Sequence, residues 1–129
     1  MNLLNLWTLR QTKTFKSQLE KFLKKYYKKD VKGKEKFLSL FRDFLYQLTL
    51  NPNIPNSKLE PAPKGSLEEN EELRKYYFNL PNYKGSLSQG RLIYKVNRQK
   101  KEIVLICIYT HNEFEKRPPD KDLKRFLSD

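Results

Sequence analysis

The chain has 129 residues and 15.6 kDa, which fits one domain over residues 1–129 with a single hydrophobic core. Its 27 Lys+Arg against 15 Asp+Glu give a net charge of +12, and a polyanionic partner is the first expectation, against the plainer one that lysine-rich helices are simply solvated. One cysteine, Cys107, lies inside an apolar run, which excludes a disulfide framework and a cysteine zinc site and suits a reducing compartment.

The charge is uneven: Met1 to Gly65 holds 14 basic and 5 acidic residues, and Ser66 to Asp129 holds 13 and 10. The basic field therefore belongs mainly to the N-terminal half. The opening "MNLLNLW" is apolar but short, with no charged residues before it and no continuation to the roughly 20 apolar residues that span a bilayer. A soluble, cytoplasmic protein without a membrane partner is expected.

Residues Asn5 to Thr12 alternate apolar and polar and predict a short strand. From Thr14 the period becomes helical, with Phe15, Leu19, Phe22 and Tyr26 on one stripe and Thr12 or Thr14 placed to cap the start. The stretch "KKDVKGK", with Gly33, breaks the stripe. A second helix then carries Phe37, Leu40, Phe41, Phe44, Leu45 and Leu48, ending near Asn51 because Pro52 disfavours helical geometry before it.

Asn51 to Ser66, with four prolines, reads as a stiffened loop, and the acidic "EENEEL" that follows fits either a helical turn or the flank of a strand. Leu73 to Pro81 predicts an aromatic strand. Arg91 to Val96 and Ile103 to Tyr109 predict two more around a basic turn, the latter apolar enough to be covered on both faces. Pro118-Pro119 and Asp120 introduce a short helix to Ser128. These elements predict an α+β domain: two N-terminal helices on a small twisted, mainly antiparallel sheet of about four strands, helices on one side, and a short C-terminal helix.

The order of elements, the strand "GRLIYKV" (Gly90 to Val96), the helix "TFKSQLEKFLKKY" and the terminal "DLKRFL" resemble the RelE/ParE superfamily, the toxins of bacterial type II toxin–antitoxin systems. The resemblance implies a metal-independent endoribonuclease that cleaves mRNA, associated with the ribosome and neutralised by a cognate antitoxin. It places a catalytic arginine at Arg91 and basic residues on the strand from Leu73 to Leu80. The late arginine and tyrosine of the RelE branch would fall near Glu113 and Pro119, which cannot replace them. The tail instead resembles the YafQ branch, where a histidine follows the last strand, and "THNE", Thr110 to Glu113, carries that role over to His111.

Cleavage by a ribose 2′-hydroxyl needs a group for its proton, positive charge for the crowded phosphate and a donor for the departing 5′-oxygen. Arginine meets the second need with planar donors charged at any working pH. Histidine, with an unperturbed pKa of roughly 6.5, meets the first or third. No metal or other cofactor is expected, since carboxylates and imidazoles form no ligand cluster in the sequence. Lys75, Lys84 and Lys95 are candidates for RNA binding, and Glu113 and Arg117 for positioning RNA or tuning the imidazole.

Each has a plainer alternative: Arg91 at a strand edge or in an ion pair, His111 as a surface residue, the lysines solvated, and Tyr94 and Tyr109 as core residues with a polar tip. Two other functions also stay open: a ParE-like toxin that acts on DNA gyrase without nuclease chemistry, and a basic RNA-binding module without catalysis. Geometry sets a condition on the first reading. If Asn97 pairs with Glu102 in a regular hairpin, Arg91 and His111 point to opposite faces, whereas pairing with Lys101, or a bulge, brings them to one.

Overall fold

The computed structural model describes residues 5–129; the first four residues of the apolar opening lie outside the described residues. The elements run β1 (Thr8–Gln11), α1 (Lys13–Tyr27), α2 (Val31–Leu50), β2 (Ser57–Glu60), β3 (Glu71–Asn79), a 3₁₀ turn (Gly85–Ser88), β4 (Gln89–Asn97), β5 (Glu102–Thr110) and α3 (Asp120–Leu127). They form one five-stranded sheet in the order β1-β5-β4-β3-β2.

Local chemistry sets the helix boundaries. Thr12 caps α1, its hydroxyl accepting from Phe15 N–H at 2.9 Å, and Asp30 caps α2, accepting from Gly33 N–H at 2.9 Å. Gly33 is thus the third residue of α2 and not the break between helices. A Cβ there would meet Asp30 Oδ2 at 2.3 Å and Asn82 Nδ2 at 2.8 Å, so a larger residue would push both side chains, the Asp30 cap among them, aside. The second helix ends at Leu50, before Asn51-Pro52, as expected.

The sheet has a core on each face. Phe15, Phe22 and Tyr26 of α1 and Phe37, Phe41, Phe44 and Leu48 of α2 pack on Phe78, Leu92, Tyr94, Val96, Ile103, Leu105 and Ile108. The other face gathers Leu73, Ile93, Val104, Ile106, Cys107 and Tyr109 under Leu123 and Phe126 of α3. Both faces of β5 are apolar, so both must be covered. Gly90 lets the Phe78 ring lie across β4, since a Cβ would come within 2.3 Å of it.

The architecture departs from the expected one in three respects. The sheet has five strands, because the proline-flanked segment taken as loop contains β2; its Leu59 is 65% exposed, so no apolar period announces it. The sheet is mixed, since β1 pairs parallel with β5 while the other pairs are antiparallel. The helices do not share one side: α3 lies opposite α1 and α2, because β5 needs cover there. The acidic stretch opens β3, where Glu71 pairs with Lys95 and Glu72 with Arg74 and Arg98.

Candidate functional site

The β4–β5 turn adopts the register that separates Arg91 from His111 if continued. Asn97 pairs with Glu102 and Tyr94 with Leu105, but the partner of Ile93 is Cys107, not Ile106. Ile106 is the extra residue of a β-bulge, and it reverses the parity of everything beyond it. Ile106 and Cys107 consequently face the same core.

Past the bulge Arg91 stands opposite Tyr109 and Gly90 opposite Thr110. His111 N–H extends the ladder, donating to Gln89 O at 2.8 Å. His111, the first residue past β5, follows Tyr109 by two residues, and strand alternation carried one step on assigns it to Arg91's face. This is the face opposite α1 and α2.

Arg91 is partly exposed and rests on an aromatic ring. Its guanidinium carbon lies 4.4 Å from the centroid of Tyr77, which opposes it on β3, and Nη1 donates to Gly90 O at 2.8 Å. No ion pair among the described residues includes it, so most of its five donors remain for a ligand. Lys58 Nζ at 5.7 Å and Lys75 Nζ at 5.9 Å share the same ring, giving three cations around one tyrosine.

The supporting residues expected from sequence are mostly committed elsewhere. Lys75 is buried, with Nζ 3.2 Å from Glu60 and donating to Lys116 O at 2.9 Å. Lys95 is on the same face but 3.2 Å from Glu71. Arg117 is held by Glu60 at 3.1 Å, by Pro61 O and by Asp120 at 2.7 Å.

Glu113 turns toward α1, accepting from Tyr26 Oη at 2.7 Å and lying 3.9 Å from Lys25. Burial, first, and then this carboxylate hold the Tyr26 hydroxyl well above the ordinary tyrosine range. Lys84 is exposed at the start of the 3₁₀ turn, off the strand ladder. Of the seven residues, Lys84, Arg91 and His111 enter no ion pair among the described residues, and of these Arg91 and His111 lie at neighbouring positions of the β4–β5 ladder.

Tyr94 and Tyr109 are core residues with satisfied tips, donating to Pro52 O at 2.6 Å and Lys116 O at 2.7 Å. Burial pushes both hydroxyls up, so both stay neutral. The residues that sequence reasoning passed over are Tyr77 and Lys58. Alternation in β3 carries the signal for the first: Tyr76, Phe78 and Leu80 pack under the helices, which turns Tyr77 to the other face with Lys75. Lys58 gives no such signal, lying in a segment without an apolar period.

No family model matches the chain, and neither does any curated protein. Among the solved structures similar to it are two bacterial proteins. The solution structure of the conserved hypothetical protein HP0892 from Helicobacter pylori is 20% identical, covering 83% of this chain and 97% of that one with a TM-score of 0.43. A double mutant of the E. coli toxin RelE in its free state is 17% identical, covering 85% of this chain and 88% of that one, also with a TM-score of 0.43. No helix among the described residues is long and apolar enough to cross a membrane.

Proposed function

We propose that the chain is a RelE/ParE-superfamily toxin of a type II toxin–antitoxin system and an endoribonuclease that cleaves mRNA, associated with the ribosome and silenced by a cognate antitoxin. What supports the reading is the bulge at Ile106, after which Arg91, in no ion pair among the described residues, stands opposite Tyr109, two residues before His111. The resemblance of "GRLIYKV" and "THNE" to the superfamily supports it from the sequence side.

In this reading Arg91 grips the scissile phosphate through its forked donors, and the Tyr77 ring fixes the guanidinium plane. The 2′-oxygen attacks phosphorus as its proton leaves, the bond to the 5′-oxygen breaks, and the products are a 2′,3′-cyclic phosphate and a 5′-hydroxyl. His111 exchanges a proton at one end of this displacement, from the 2′-hydroxyl or to the departing oxygen. Lys58 adds positive charge along the RNA strand.

The test is expression of the wild-type chain, Arg91→Ala and His111→Ala, with RNA ends mapped in the presence and absence of translating ribosomes. Growth arrest and new 5′-hydroxyl ends are expected for the wild type and lost in both variants, with unfolding temperatures unchanged. Arrest that persists in both variants, or intact transcripts accompanied by supercoiling defects, sinks the proposal.

A further inference from the structure

His111 sits where a strand gives way to a turn, and turn tips are ordinarily the mobile part of a fold. Thr110, His111, Asn112 and Glu113 form that turn, closed by Glu113 N–H donating to Thr110 O at 2.9 Å, with His111 and Asn112 at its central positions. It contains no proline to preset its backbone.

The turn is held instead from the helical side, by one hydroxyl of α1. Tyr26 Oη lies 2.9 Å from Thr110 Oγ1 and donates to Glu113 Oε1 at 2.7 Å, so it joins the first and last residues of the turn. Burial keeps that hydroxyl protonated, and its single proton goes to the carboxylate, which leaves Thr110 to donate its own to Tyr26 Oη. Thr110 and Tyr26 are both buried, and the bond to the carboxylate is charge-assisted. A second tie reaches the same turn. Tyr83 Oη donates to Tyr26 O, with its ring edge-on to that of Tyr26 at 5.5 Å between centroids, and Ser86 Oγ in the 3₁₀ turn that follows donates to Asn112 Oδ1 at 3.3 Å.

We infer that Tyr26 is a positioning residue for His111: its hydroxyl, joined to Thr110 and Glu113, fixes the turn that aims the imidazole. Tyr26 packs in the core with α1 and α2, whereas alternation puts His111 on the face of Arg91, so the tyrosine acts from the opposite side of the sheet, through the backbone of the turn.

Packing alone does not account for the hydroxyl. The ring is already placed by Phe22 at 4.7 Å and by Tyr83, and phenylalanine would fill the same space with no polar tip to satisfy. Proton transfer does account for it, since the imidazole must stay within hydrogen-bond reach of the reacting oxygen, and a misplacement of about 1 Å costs roughly 100-fold in rate. The effect on rate rests on the endoribonuclease reading; the effect on the turn does not.

The test compares Tyr26→Phe with the wild type by NMR relaxation of the His111 and Asn112 amides and of the imidazole carbon Cε1, whose signal is unambiguous because the chain has one histidine. Order parameters near 0.85 in the wild type should fall below about 0.6 at both amides, with matching loss of order at the ring. Thr110→Val, which removes the other hydroxyl, should do the same. Tyr94→Phe deletes a buried hydroxyl bond of the same kind, to Pro52 O at 2.6 Å, on a residue that pairs with Leu105 well up the ladder from His111. It should lower the unfolding temperature by a similar amount and leave the turn ordered.

Single-turnover cleavage of ribosome-bound mRNA should slow by about 10-fold to 100-fold in Tyr26→Phe at saturation, with the half-saturating concentration unchanged. Wild-type order at His111 in both Tyr26→Phe and Thr110→Val, or equal loosening by Tyr94→Phe, overturns the inference. So does an unchanged cleavage rate in a variant whose turn has loosened. If the wild-type chain cleaves no RNA, the endoribonuclease reading falls, and the relaxation data alone decide whether Tyr26 holds the turn.

Discussion

Glu60 is the hinge of the C-terminal assembly, and its removal should be felt across the fold. Its carboxylate bridges Lys75 at 3.2 Å and Arg117 at 3.1 Å, with the three side chains 12%, 9% and 19% exposed. At an effective dielectric of about 20 each contact is worth roughly 5 kcal/mol before desolvation. Truncating one partner of a buried pair costs about 3–5 kcal/mol.

Both cations keep a second acceptor, Lys116 O for Lys75 and Asp120 for Arg117, so Glu60→Gln should lie at the low end, about 3 kcal/mol. With a urea slope of roughly 2 kcal/mol per molar for a domain of this size, the midpoint should fall by about 1.5 M. Urea unfolding followed by far-UV circular dichroism reads it directly. A loss under about 1 kcal/mol would refute the claim that this carboxylate is a desolvated clamp, placing it instead among exposed pairs. Glu60→Leu/Lys75→Met should recover much of the deficit, because the cost arises from stranding a charge and not from losing an attraction.

Two further outcomes follow from buried or shifted groups. Cys107 is 1% exposed and burial pushes its thiol up to about 12, so it should resist a thiol reagent in the folded protein and react stoichiometrically in denaturant; rapid labelling in native buffer would contradict the packing. Burial tends to raise the carboxyls of Glu71 and Glu72, but hydrogen bonds from Glu68 N–H and Lys95 to the first, and from Arg98 and Arg74 to the second, outweigh it and hold both below the ordinary 4.5. Their stabilisation is therefore complete above that value and is lost as pH falls through the lowered folded values. Unfolding temperature should drop below about pH 4.5 less steeply in Glu71→Gln/Glu72→Gln than in the wild type, and parallel curves would show that these pairs do not drive acid lability.

The helices were legible because each declares itself locally. Thr12 and Asp30 cap, Pro52 and Pro119 punctuate, and the aromatic stripes of α1 and α2 keep a helical period that the structure buries. β2 was not legible, because it joins the sheet through a backbone ladder to distant β3 and through the ion pairs of Glu60 with Lys75 and Arg117, while Leu59 faces solvent and leaves no apolar period. The partners of Arg91 were partly legible. Alternation in β3 could have exposed Tyr77, but no local pattern could say that Lys75, Lys95 and Arg117 are paired, since ion-pair partners depend on register. Nor could the bulge be read, because "EIVLICIYT" is apolar at nearly every position and so fixes no parity of its own.

The turn and the open end of the β4–β5 hairpin run in different registers, joined at Ile106. The turn is thereby insulated from the chemistry: its loop can be shaped for hairpin formation without dictating where the arginine and histidine point. It also means that losing Ile106 would leave Arg91 opposite Tyr109 in a regular ladder, whereas a hairpin of the same length that carried the turn's register to its open end would aim the arginine and histidine to opposite sides of the sheet.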